Sequence, residues 1–123
     1  MDSTDPFGAA EGLWGRSFYG KISEYLTENG IFVVQTKTPF YLPEIVKRVY
    51  NDSKKVFPIT KLFMTAIPTY PSGYWSFIIG SKKYDSEKAT VLETLSFETK
   101  YYTPKLHSAS FVLPKFIENL INS

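Results

Sequence analysis

The chain contains no cysteine among its 123 residues. This absence excludes disulfide bonds, thiolate metal sites and a cysteine nucleophile, and it is compatible with a reducing cytoplasm. The single histidine, His107, has no second histidine, cysteine or serine-based motif as a partner, so it is a poor candidate for a metal ligand or a catalytic triad. The sequence therefore predicts no metal site.

Long apolar segments and clusters of one charge are also lacking. No hydrophobic run approaches the roughly 20 residues that a membrane span needs, and no secretory signal precedes the first loop. The formal net charge is +2, with lysines spread along the sequence, so neither nucleic acid nor an anionic membrane is an expected partner. We expect a soluble, cytoplasmic protein.

A glycine-rich turn between a strand and a helix, which would hold a nucleotide-like group, is missing as well. What the chain has instead is a composition of 43% hydrophobic and 17% aromatic residues, which is too rich for disorder. Its length has room for one domain or less.

Apolar residues recur every three to four positions in two long segments. Between Leu13 and Asn29 this spacing predicts a helix with one buried face, which ends at the Asn29-Gly30 pair. Between Leu42 and Val56 it predicts a second helix with Pro43 in its first turn. Two further helices are predicted, over 85–99 and over 114–121.

Three segments have strand character. Ile31–Gln35 is a continuous apolar run, which predicts a central parallel strand that is covered on both faces. Ile59–Ile67 and Tyr74–Ser81 are separated by a connection too short for a crossover, so they should form an antiparallel hairpin. This order predicts an α/β fold: the C-terminal half of a Rossmann-like methyltransferase-type sheet, ending in a β-hairpin, with flanking helices.

Two loops have unusual compositions. The segment Asp2-Ser3-Thr4-Asp5-Pro6-Phe7-Gly8-Ala9-Ala10 places two carboxylates three positions apart beside proline and glycine. The segment Ile67-Pro68-Thr69-Tyr70-Pro71-Ser72-Gly73 joins the two hairpin strands. Taken alone, the first loop is more typical of a turn or helix cap than of a catalytic pair.

With Gln35 at a strand end and these two loops in this order, the sequence resembles the polyamine aminopropyltransferase family, and specifically bacterial spermidine synthases. The resemblance implies transfer of an aminopropyl group from decarboxylated S-adenosylmethionine, as co-substrate, to putrescine. The products would be spermidine and methylthioadenosine, and no cofactor would be required.

The resemblance also implies roles for particular residues. Asp2 would be the base that takes the proton from the attacking amine. Asp5, Gln35 and Tyr70 would bind the diamine. The active-site loop, which would cover the bound substrate, contains Pro6, Gly8 and Ala9. The sequence departs from the family at Lys37, where an acidic residue is common, and at Gly8-Ala9-Ala10, where the family usually has Gly-Pro-Ala.

The resemblance leaves alternatives open. Residues 1–123 would be the C-terminal part of a catalytic domain whose N-terminal half, with the nucleoside site, is absent. We expect such a chain to be inactive alone, and to be oligomeric or to depend on a separate N-terminal half. The acceptor could instead be agmatine, cadaverine or spermidine. A different class of hypothesis is a non-catalytic half-domain, either a remnant or an assembly partner.

Overall fold

The computed structural model describes residues 1, 8–89 and 97–123. In these ranges the strands are β1 (Ile31–Gln35), β2 (Ile59–Ala66) and β3 (Tyr74–Ser81). The α-helices are α1 (Arg16–Tyr25), α2 (Pro43–Lys54), α3 (Pro104–Ser110) and α4 (Lys115–Asn122), and short 3-10 helices cover Gly8–Leu13 and Ser86–Lys88. None of the helices in the described ranges has the length and apolar character needed to cross a bilayer.

The three strands form one sheet in the order β1-β3-β2, and β3 is antiparallel to both of its neighbours. The predicted hairpin is therefore confirmed, as is the α/β class. Because β1 and β2 both run opposite to β3, they point in the same direction. Their carboxyl ends consequently lie at the same edge of the sheet, where α/β proteins place their ligands.

The prediction of a central parallel strand at Ile31–Gln35 is wrong for the described residues. Here β1 lies at the edge of the sheet and pairs only with β3 among the described strands, in antiparallel register. Its side chains alternate: Phe32 and Val34 are 5% and 0% exposed, whereas Ile31 and Val33 are 47% and 37% exposed. A continuous apolar run predicts burial on both faces, but only one face of β1 packs into the core.

Met1 lies on the other edge of β1. Its N-terminal ammonium group donates to the carbonyl of Val33, and its carbonyl accepts from the N–H of Gln35 at 3.3 Å. In a parallel pair of strands, a residue forms hydrogen bonds to the two residues that flank its partner. Met1 bonds in this way to Val33 and Gln35, which flank Val34. The backbone of Met1 is thereby fixed beside the end of β1.

The core lies between one face of the sheet and the helices α1, α2 and α4. It consists of buried apolar side chains from all of these elements: Tyr19, Phe32, Val34, Val46, Val49, Leu62, Met64, Ile78 and Ile117. Phe57 joins them, its ring stacked on Phe32 with centroids 5.6 Å apart. Gly80 makes room for this ring, because a Cβ there would lie 2.4 Å from a Phe57 carbon.

Three of the four predicted helices are confirmed. They are α1, α2, which has Pro43 in its first turn, and α4. The buried face of α1 is centred on Tyr19, which is fully buried, whereas Tyr25 at the end of the helix is 90% exposed.

The predicted helix over 85–99 is wrong in its described parts. After Asp85, only Ser86–Lys88 forms a helical turn, and residues 97–99 are not helical; 90–96 lie outside the described residues. The sequence prediction also missed α3. Its start is well defined, because the Thr103 side chain accepts from the N–H of Leu106 at 3.0 Å and Pro104 occupies the first turn.

Candidate active site

Gln35 and Tyr70 line one cavity at the edge of the sheet where β1 and β2 end. The cavity has a volume of about 340 Å³, and its other described lining residues are Met1, Val33, Ile67 and Phe77. This volume lies within the roughly 300–1,000 Å³ that is usual for small-molecule sites. Two residues separated by 35 positions in the sequence therefore face the same space.

A β-bulge follows Gln35. Thr36 and Lys37 both oppose Ser76, because the Thr36 N–H donates to the Ser76 carbonyl at 3.0 Å and the Ser76 N–H donates to the Lys37 carbonyl at 3.2 Å. The Thr36 hydroxyl also donates to the Ser76 carbonyl, at 2.9 Å, and both side chains are buried. Bulges commonly redirect a strand beside a functional site. This one fixes the course of the chain directly after Gln35.

Tyr70 lies in two consecutive tight turns. The Tyr70 N–H donates to the Ile67 carbonyl at 3.0 Å, and the Gly73 N–H donates to the Tyr70 carbonyl at 2.9 Å. A proline is the second residue of each turn, where its fixed φ is favourable. The third residue of the second turn, Ser72, has a φ of 69°, which is rare for a residue with a side chain.

The Tyr70 ring packs against Trp75, with ring centroids 4.6 Å apart, while 40% of the tyrosine remains exposed. The Lys37 ammonium lies 5.8 Å from the centroid of the Trp75 ring. This distance is within the range of a cation–π interaction. An aromatic wall with a nearby positive charge therefore adjoins the cavity.

The structure brings together two of the residues predicted to form the site, Gln35 and Tyr70. Asp2, Asp5 and Pro6 lie outside the described residues, so their roles stay predictions. Gly8 and Ala9 begin the 3-10 helix Gly8–Leu13, are exposed, and are not among the described lining residues.

Sequence reasoning missed four residues of the cavity wall, and some of them had a detectable signal. Val33 lies two positions before Gln35 on the same strand, and therefore on the same face. Phe77 is the register partner of Gln35. Met1 directly precedes the first of the two loops on which the prediction was based, and Ile67 is the first residue of the second. Only the register of Phe77 could not be read from the sequence.

Clear pKa shifts among the described groups occur away from this cavity. Burial raises the pKa of Tyr19 to about 12 and also raises the pKa of Tyr50. The pKa of Lys61 is raised by its hydrogen bond to Glu87. The described residues hold no group of three or more histidine, cysteine, aspartate or glutamate side chains that could bind a metal ion.

A family model described as the spermine/spermidine synthase domain matches residues 1–93. The chain belongs to this family. It is 84% identical over 121 residues to a polyamine aminopropyltransferase of Clostridium tetani, and 67% identical over 120 residues to one of Clostridium kluyveri. These alignments cover 98% of this chain but 43% and 44% of the relatives.

Solved structures of the family have the same fold. A spermidine synthase in complex with the transition state analogue AdoDATO matches with a TM-score of 0.85 and 37% identity, over 98% of this chain and 42% of that one. The spermidine synthase of Thermotoga maritima matches with a TM-score of 0.78 and 36% identity, over 89% of this chain and 40% of that one. The resemblance inferred from the sequence motifs is thus confirmed, and the chain spans less than half the length of these relatives.

Proposed function

We propose that this chain forms the acceptor side of an aminopropyltransferase site. The reaction moves an aminopropyl group from decarboxylated S-adenosylmethionine to putrescine and gives spermidine and methylthioadenosine. The observation that carries the proposal is the cavity that Gln35 and Tyr70 share with Met1. Met1 directly precedes Asp2 in the sequence, and hydrogen bonds to β1 hold its backbone in place.

The proposed chemistry is a displacement at carbon. A primary amine of putrescine attacks the methylene group beside the sulfonium, the new N–C bond forms, and the C–S bond breaks with its electron pair going to sulfur. The attacking nitrogen needs a free electron pair, so the ammonium must first lose a proton. Asp2 accepts that proton, and Asp5 attracts the cationic diamine.

The cavity wall suits a linear diamine. Val33, Ile67 and Phe77 provide apolar surface for the four methylene groups. The amide of Gln35 and the hydroxyl of Tyr70 provide oxygen atoms that can accept hydrogen bonds from an ammonium group. The loop with Pro6, Gly8 and Ala9 covers the bound substrate. No metal ion or other cofactor takes part in the proposed reaction.

The remaining parts of the site come from elsewhere. The relatives are more than twice as long as the matched region, and one solved relative binds the analogue AdoDATO. We propose that residues 1–123 are the C-terminal part of the catalytic domain and act in the cytoplasm, in an oligomer or with a separate N-terminal half. The edge of β1 that faces away from β3, where Met1 already pairs, is the surface to which such a segment would add.

A reconstitution assay tests the function. The 123-residue chain is mixed with the region of the Clostridium tetani relative that it does not match, and methylthioadenosine release is followed with putrescine as acceptor. We expect no release from either part alone and release from the mixture. No release from the mixture would contradict the proposal and favour the non-catalytic half-domain. Agmatine, cadaverine and spermidine, tested as acceptors in the same assay, decide which amine is used.

Variants of the mixture test the roles of individual residues. Asp2→Asn should lower the rate by roughly 100- to 10,000-fold, because it removes the general base. The matched control is Asp52→Asn on helix α2, which removes a carboxylate that lies 3.2 Å from the ammonium group of Lys55. Equal rates for the two variants would show that Asp2 is not the base.

A further inference from the structure

Two side chains far apart in the sequence join the Tyr70 turn to the segment that follows β1. The hydroxyls of Thr38 and Ser72 lie 2.7 Å apart. Thr38 is almost completely buried, with 2% of its surface exposed. The other described hydrogen bonds of residues 67–73 have both partners within the β2–β3 hairpin, whereas this one has a partner outside it. Because Thr38 lies three residues after Gln35, this bond joins the tip of the hairpin directly to the segment that follows β1.

The direction of this hydrogen bond follows from the other partner of Ser72. The Ser72 hydroxyl donates to the Tyr74 carbonyl at 3.0 Å. Because a hydroxyl has only one proton to donate, Ser72 must accept from Thr38. The buried Thr38 hydroxyl is thus the donor, and Ser72 connects Thr38 to the first residue of β3.

The backbone at Ser72 indicates that the side chain is needed. With a φ of 69°, this residue adopts a left-handed conformation that glycine would adopt at lower energy. Strained backbone of this kind is concentrated at functional sites, where the surroundings hold it in place. Here the surroundings are the two hydrogen bonds of the hydroxyl, which glycine could not form.

We infer that Thr38 and Ser72 are positioning residues that hold Tyr70 against the cavity it shares with Gln35. The inference rests on the proposed function of this cavity. Without the pair, the internal hydrogen bonds of the turn would persist, but the turn would lose its direct hydrogen bond to the segment that follows β1. Tyr70 would then move relative to Gln35, and a diamine that contacts both would bind more weakly.

Calorimetric titration of the 123-residue chain with putrescine tests the inference. Thr38→Val and Ser72→Ala should each raise the dissociation constant about tenfold, which is the usual effect of losing one hydrogen bond. The double variant should be no weaker than Ser72→Ala alone, because Thr38→Val removes a bond that Ser72→Ala already removes. Thr38→Ser keeps the hydroxyl and should retain the wild-type affinity. Effects that multiply to about a hundredfold in the double variant would overturn the inference.

Two further variants separate positioning from stability. Ser72→Gly relieves the unfavourable φ but removes the hydroxyl, so it should keep the wild-type unfolding midpoint and still lose about tenfold in affinity. Thr60→Val is the matched control, since it removes a hydroxyl bonded to the Phe57 carbonyl at 3.2 Å, at the opposite end of β2. It should leave the affinity unchanged. Wild-type affinity in Ser72→Gly would refute the positioning role.

The ring resonances of Tyr70 provide a readout that does not depend on binding. Because the ring lies 4.6 Å from Trp75, its proton chemical shifts report small movements of the turn. Thr38→Val and Ser72→Gly should shift these resonances, and Thr60→Val should not. If the wild-type chain binds no putrescine, the proposal that this cavity binds the diamine fails, while the shifts still decide the inference. Unchanged Tyr70 shifts in both variants would overturn it.

Discussion

Replacing Gly80 with alanine should destabilise the fold sharply, because the added methyl group would overlap the buried ring of Phe57. The added Cβ would lie 2.4, 2.6 and 2.9 Å from three carbons of Phe57. Ordinary contacts of this kind are about 3.5–4.0 Å, so ring and strand must separate by roughly 1 Å. Phe57 is 1% exposed and stacked on Phe32, so it has little room to move.

The expected cost can be worked out from two opposing effects. Overpacking a filled core typically costs about 1–3 kcal/mol, and the close distances here favour the upper part of that range. Alanine in place of glycine in a strand interior returns about 0.5–1 kcal/mol, because the unfolded chain loses less freedom on folding. Gly80→Ala should therefore lower the free energy of unfolding by about 1–2 kcal/mol.

Urea unfolding followed by circular dichroism provides the measurement. The matched control is Gly20→Ala in helix α1, where a Cβ meets no atom within 4 Å. That substitution should raise the free energy of unfolding by about 0.5–1 kcal/mol. A second check is Phe57→Leu, which removes part of the ring, so that the cost of Gly80→Ala should shrink in the double variant. A Gly80→Ala chain as stable as wild type would refute the packing described here.

Three further predictions concern the fold outside the cavity. Since folded Tyr19 keeps its proton to a pKa of about 12, whereas the unfolded side chain titrates near 10, stability should fall between pH 10 and 12 by up to about 2–3 kcal/mol. Tyr19→Phe should lose less stability across that window, and equal losses in urea titrations of both chains would contradict the assignment. Thr103→Ala removes the side-chain cap of α3 and should lower the free energy of unfolding by about 1 kcal/mol. Amide hydrogen exchange at Leu106 should become faster, and an unchanged exchange rate would contradict the role of Thr103 as a cap. Lys61→Met should change the free energy of unfolding by less than about 1 kcal/mol, because the ion pair of Lys61 with Glu87 is partly exposed. A larger loss of unfolding free energy that persists in high salt would contradict this prediction.

The elements that could be predicted from sequence have local signals. Helix α2 combines an apolar periodicity with Pro43 at its start, and the hairpin combines two apolar runs with a connection rich in proline and glycine. These features depend on neighbours in the sequence, so a linear pattern is sufficient. The same is true of α4, which follows Pro114.

The environment of β1 could not be predicted in the same way. An apolar pentapeptide looks the same whether one face or both faces are buried, and only the sheet order decides between these cases. Helix α3 was missed although Thr103-Pro104 is a typical helix start, because the segment is short and has no buried residue to create a periodic pattern. After Asp85, whose side chain accepts from the N–H of Glu87, the described helical turn ends at Lys88.

The candidate site was predicted through family motifs and not through geometry. That Gln35 and Tyr70 share a cavity follows from the register of β1 on β3 and from the length of the turn, neither of which is encoded in one segment alone. The Thr38–Ser72 pair was not predicted for the same reason. Threonine and serine are common in loops, and only the folded chain brings these two hydroxyls together.

The proposal that the cavity binds the acceptor can be tested most directly by NMR titration of the chain with putrescine, following assigned methyl groups. Met1 and Ile67 line the cavity, whereas Ile117 is fully buried in the core. The account predicts saturable shifts of the Met1 and Ile67 methyl resonances, no shift of Ile117, and a much weaker response in Tyr70→Phe. Saturable shifts confined to methyl groups outside the cavity, or none at millimolar putrescine, would contradict it.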